Sequence, residues 1–210
     1  MEKSRKKLEI NQTVNREKQK SAKRQRDTIV ELTTAALVTA LFCVLAPFTI
    51  YLPFSPVGIT LGSLLLYLTG LVLGAKYGCV SIFLYLCLGF LGIPVFSGYT
   101  AGGGVLLGPT GGFLLGYLPC VAVTGSLMNG APVGKRGVVR FLLAMLAGTG
   151  VLYLFGTVWF FAVYTKGSSF WDALMTCVIP LLPADAVKIG LAAALCKPFM
   201  RLKYRHINNI

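Results

Sequence analysis

Between Tyr77 and Gly134 the chain carries no Asp, Glu, Lys or Arg. Apolar runs recur on either side of this stretch, and several approach the roughly 20 residues that a membrane-spanning helix needs. With 210 residues, a mean hydropathy of +0.72 and only 13% charged residues, the chain reads as an all-α polytopic membrane protein. A single compact bundle is enough to hold it.

Six spans fit the runs, at about 28–48, 59–73, 78–91, 111–127, 138–164 and 171–199. The second and third are short. The glycines of Gly74-Ala75-Lys76-Tyr77-Gly78 divide them and predict a turn there. The segment 1–26 reads as a basic cytosolic tail able to lie on anionic lipid. Residues 27–200 form the six-helix membrane domain, and 201–210 form a second cytosolic tail.

The formal charge of +13 does not indicate a nucleic-acid partner, because of where the bases lie. Half of the 20 Lys and Arg precede Thr28, and most others flank the ends of apolar runs. An inside amino terminus puts 18 of the 20 in the cytosol, with Lys166 outside and Lys188 within the last span. This is the positive-inside pattern, and it places both termini in the cytoplasm.

The outer connections are unusual. Residues 49–57 are apolar and contain proline, and residues 92–110 are apolar and rich in glycine. Irregular backbone at membrane depth needs protein burial or a cavity. Both segments are therefore expected as partly inserted caps over an outward-facing pocket. Small-x-x-x-small spacings at Gly58/Gly62, Gly70/Gly74 and Gly112/Gly116 predict close helix packing. The similar pair Ala36/Ala40 fits either internal packing or a partner.

Several chemistries are disfavoured. The six cysteines show no C-x-x-C spacing, so neither a metal nor a disulfide is expected. His206, the one histidine, lies in the basic carboxy-terminal tail. Gly130 to Arg136 resembles a P-loop superficially, but it is one residue short and has Arg136 where Ser or Thr would hold magnesium. Gly102-Gly103-Gly104 lacks the setting of a dinucleotide fingerprint. It suits close backbone approach to a ligand instead.

Asp185 and Lys188 are the acid and base placed deep in an apolar run, and their spacing puts them on one helix face. Charge at the bilayer centre costs at least about 2.5–3.5 kcal/mol and usually serves a function. A carboxylate beside an ammonium suits a neutral ligand with adjacent N–H and C=O groups, such as a urea or amide. Pro180 and Pro183 are expected to bend the chain above the pair. Tyr85, Phe96, Tyr99 and Trp171 are candidate apolar walls. The alternatives are a helix-locking ion pair and a membrane enzyme using the two residues as acid and base. No third catalytic partner accompanies them.

Three segments carry a family resemblance: SPVGITLGSLLLYLTGLVLGAKYG (55–78), YLCLGFLGIPVFSGYTAGGGVLLGPTGGFLLGY (85–117) and LLPADAVKIGLAAAL (181–195). In order and spacing they resemble the BioY family, the biotin-binding S components of energy-coupling factor (ECF) transporters. The resemblance implies six helices, both termini inside a bacterial cell membrane and biotin as transported ligand. It implies no cofactor of the chain's own, since ATP is used by two partner ATPase subunits that act with a T subunit. Asp185 would accept from the ureido N–H groups, with Lys188 at the ureido end or fixing Asp185. Ala36/Ala40 would dock the T subunit, and residues 49–57 would gate the site. The carboxylate would fall to backbone near Gly103 or to the hydroxyls of Tyr99 and Thr110; alternatively, Lys188 takes it. The chain departs from the family's P-V-P-I-T-L-Q, reading Pro56-Val57-Gly58-Ile59-Thr60-Leu61-Gly62. An S component for another vitamin is the remaining alternative.

Overall fold

The computed structural model describes residues 2–50, 58–130, 134–164 and 170–208. The chain forms two compact units, Met1–Thr34 and Ala35–Ile210. Helix α1 runs Glu2–Leu45. In the first unit, residues 14–26 are exposed, and the hydroxyls of Thr28, Thr33 and Thr34 each donate to the carbonyl one helical turn back.

The second unit is the helical bundle. Within it α1 buries Ala35, Thr39 and Phe42, spaced so that they share one face, and Ala46 just past its end is also buried. The Thr39 hydroxyl donates to the carbonyls of Ala35 at 2.9 Å and Ser81 at 3.1 Å. After α1 come two short strands absent from the sequence reading, β1 (Thr49–Ile50) and β2 (Ile59–Thr60), paired antiparallel. Most of the expected gate at 49–57 lies outside the described residues.

Helix α2 spans Gly62–Phe90 but is broken at Gly74, where φ is 70° and ψ is −169°. Glycine adopts this conformation without the Cβ clash other residues meet. The break folds the helix back. A Cβ on Gly78 would lie 3.8 Å from the carbonyl oxygen of Thr69, whereas a straight helix would hold those positions about 13 Å apart. The turn expected at residues 74–78 is thus present as a hairpin of two helical arms.

The glycine-rich connection carries a 3₁₀ turn (Ser97–Tyr99) and the short helix α3 (Gly103–Leu106), then leads into α4 (Gly111–Leu127). Helix α5 follows (Lys135–Tyr164). The expected last span is two helices, α6 (Phe170–Cys177) and α7 (Leu182–Asn208), joined by a 3₁₀ turn at Ile179–Leu181. Pro180 lies in that turn, and Pro183 lies in the first turn of α7. Neither offers the N–H that would continue α6, so the bend expected there is a break.

Among the described residues four helices are long and apolar enough to cross a membrane, and α4 is a shorter apolar helix. The hairpin of α2 adds a further pass. This is an all-α membrane protein, with α4 packed between α2 and α5. Of the expected small residues, Gly70, Gly112 and Gly116 make close helix contacts here. Gly125 of α4 sits so close to the α2 turn that a Cβ would lie 2.7 Å from Ala75 Cα. A Cβ on Gly116 would meet Leu152 and Phe155 of α5 at 3.2 Å.

Candidate functional site

Asp185 stands in the first turn of α7, where the helix dipole favours a negative charge. It is 3% exposed, and Lys188 is 7% exposed. Lys188 Nζ lies 3.0 Å from Asp185 Oδ1 and donates to Ser63 Oγ at 2.8 Å. The Tyr153 hydroxyl donates to Asp185 Oδ2. Ser63 belongs to the first turn of α2 and Tyr153 to α5, so the pair joins three helices. The proline-driven start of α7 is what brings its dipole and both charges to this depth.

Behind Asp185 lies more polar packing. The hydroxyls of Tyr67 and Thr149 are 2.5 Å apart and buried. The Tyr117 hydroxyl is hydrogen-bonded to Thr60. Membrane-buried hydroxyls need such partners, because an unpaired polar group in an apolar medium costs several kcal/mol (roughly 2–7).

A small cavity of about 40 Å³ opens onto the pair. Asp185, Lys188, Ser63, Thr60 and Tyr117 line it with Ser97, Thr110, Phe113 and Leu152. A larger cleft of about 280 Å³ adjoins it, and the two share Gly58, Ser97, Thr110 and Leu114. Few polar groups in mostly apolar walls is the usual make-up of a small-molecule site.

The expected site residues fall into two groups. Asp185, Lys188 and Thr110 come together at the cavity. Tyr85 and Phe96 do not line it. Both are fully buried, with ring centroids 5.7 Å apart, and the Tyr85 hydroxyl donates to Val95 O at 3.1 Å. They anchor the loop whose Ser97 reaches the cavity, because Phe96 fills the space beside Gly89. Tyr99 is 59% exposed and packs edge-on against Phe48. Trp171 is also exposed. Gly103 lies against Phe90, whereas its neighbour Gly104 lines the outer cleft. The loop therefore inserts through Val95 and Phe96, with Val105 and Leu106 half-buried against the core, while Leu91, Ile93 and Leu107 stay exposed. Ser63, Tyr153, Thr60, Ser97 and Tyr117 were not singled out by the sequence. On α1, Ala36 and Ala40 are both exposed, beside Leu37 and Leu41.

The sequence model of the BioY family matches residues 16–205. The biotin transporter BioY of Thermotoga maritima is 33% identical over 82% of this chain and 95% of its own length. The probable biotin transporter BioY of Pyrococcus horikoshii is 35% identical over 80% of this chain and 94% of its own. The biotin transporter BioY of Rhizobium etli is 36% identical over 83% and 93%. The fold matches the crystal structure of the S-component for biotin from an ECF-type ABC transporter, with a TM-score of 0.75 at 24% identity over 84% of this chain and 93% of that one. A family match over nearly the whole chain, together with relatives above 30% identity along most of it, means that the chain belongs to the BioY family.

Proposed function

We propose that this chain is the membrane-embedded binding subunit for biotin uptake. It captures biotin outside and delivers it inside with an ATP-driven module of one T subunit and two ATPase subunits. It is a transport component and not an enzyme. Both termini face the cytoplasm, which agrees with the skewed distribution of bases.

The observation that carries this reading is the hydrogen-bonding pattern of the buried pair. Each Asp185 oxygen already accepts one bond, from Lys188 or from Tyr153. Each carboxylate oxygen has a second lone pair, and the ammonium has a third proton beyond those given to Asp185 and Ser63. Two acceptors and one donor complement a ureido ring, which offers two N–H groups and one C=O. Asp185 receives the N–H groups, Lys188 reaches the carbonyl, and Thr110 lies towards the valerate end.

A ligand panel tests the assignment. The purified protein is melted with biotin, thiamine or riboflavin. At about 100 times Kd, a ligand specific for the folded state adds about 2.7 kcal/mol, or roughly 5 °C or more. Biotin should give that shift and the other two none. A shift with thiamine or riboflavin instead would replace the ligand.

Ala36 and Ala40 supply the docking face in this reading. They lie exposed on α1 while Ala35 and Thr39 face the bundle. Small residues let a second helix approach closely without lipid between. Ala36→Trp and Ala40→Trp should cut biotin uptake at least about 10-fold in cells and leave biotin affinity unchanged. Parallel loss of uptake and affinity would assign both positions to internal packing.

A further inference from the structure

The two parts of the cavity differ in charge. At its floor Asp185 and Lys188 neutralise each other at 3.0 Å. The outer cleft is lined by Gly58, by the hydroxyl residues Ser97, Thr100 and Thr110, and by Gly104 and Gly108 with apolar neighbours. Among the described residues no other charged side chain lines either part. The segment 51–57 contains no charged residue in its sequence, nor does the chain from Tyr77 to Gly134. The described lining of the site therefore has a net charge of zero.

A carboxylate stripped of water with no cation beside it is strongly penalised. The acid end of a ligand whose ring sits on the Asp185–Lys188 floor must then keep its water. Thr100 and Gly104 mark the open mouth of the cleft, since both are exposed. A group held in water at that mouth contributes little to selection, so capping the acid costs little. Lys188 is a poor reader of the acid, because Asp185 and Ser63 already take two of its three protons.

We propose that the substrate class of this site extends to biotin derivatives capped at the carboxyl. Amides are the main case, including biotin joined to the ε-amine of lysine. This inference rests on the reading of the floor as a ureido site, and the experiment separates the two. Full-length protein in detergent is titrated with biotin, biotin methyl ester and biotinyl-lysine. All three should bind with Kd values within about 10-fold of one another. Biotin affinity should also change less than about 2-fold between 50 and 500 mM NaCl, because no unpaired charge is being screened. Asp185→Asn should weaken binding of biotin and biotinyl-lysine alike, by at least about 100-fold. Lys166→Ala, which alters a base outside the described residues, should change neither.

Tight biotin binding with the amide weakened more than about 100-fold would overturn the inference, because a cation would then be reading the acid. Loss of biotin alone in Lys166→Ala would overturn it too and identify that cation. Amide binding that survives Asp185→Asn would overturn it by placing the amide at another site. Failure of biotin itself to bind would instead remove the proposed function.

Discussion

Asp185→Asn is expected to weaken biotin binding by at least about 100-fold while the protein still folds as a bundle. The substitution keeps the shape but removes the charge that balances Lys188, whose ammonium is then buried beside neutral acceptors. It also turns one carboxylate oxygen into a donor, which opposes a ureido N–H. Hydrogen bonds to a charged group are worth about 1.5–3 kcal/mol each, so losing one or two supplies the expected factor. Lys188→Ala should act similarly, by removing the donor to the ligand carbonyl and leaving Asp185 uncompensated. Tyr153→Phe should cost less, about 10-fold, because it frees an Asp185 oxygen to turn without changing charge. A double variant distinguishes recognition from a mere lock between helices. Breaking a buried pair from one side costs about 3–5 kcal/mol, whereas replacing both members with apolar groups is often neutral. Asp185→Leu with Lys188→Met should therefore regain thermal stability relative to either single change and still fail to bind biotin. Recovery of binding together with stability would show that the pair is only a lock.

Gly125→Val is expected to destabilise the bundle by at least ~3 kcal/mol, above the usual range for overpacked cores. The added Cβ would overlap the backbone of Gly74 and Ala75, and backbone cannot rotate away as a side chain can. The damage would fall on the α2 turn and on the packing of α4 against both arms. Gly150→Val is the control, since a Cβ there meets nothing within 4 Å. It should stay within about 0.5–1 kcal/mol of the parent, the usual cost of helix propensity at an open position. Melting temperature and monodisperse yield in detergent read both. Equal melting of the two variants would mean that the α2 turn does not depend on a bare backbone at residue 125.

What the sequence made legible follows from how rare each signal is in an apolar chain. Asp185 and Lys188 stood out because charge in hydrocarbon is costly. The α2 turn stood out because Gly74 and Lys76 interrupt two short apolar runs. Their polar partners were harder to see. Most hydroxyls in such helices bond one turn back along their own backbone, as Thr28, Thr33 and Thr69 do. Ser63 and Tyr153 reach another helix instead, and nothing local distinguishes them. Tyr85 and Phe96 were the right residue types for a wall, but the path of the loop turns them into its anchor. The β1–β2 ladder was missed because two-residue strands carry no periodicity to detect.

The break at Gly74 also bears on how this protein enters a membrane. Helix α2 has 29 residues in total, so each arm falls below the roughly 20 that can cross unaided. Neither arm is a competent insertion signal, and the two must partition together as a helical hairpin. Lys76, exposed and set 5.3 Å over the Tyr77 ring, gives that hairpin a charged tip. Insertion of α2 is thus a two-helix step, set by one glycine, and it carries Ser63 of the site's floor with it.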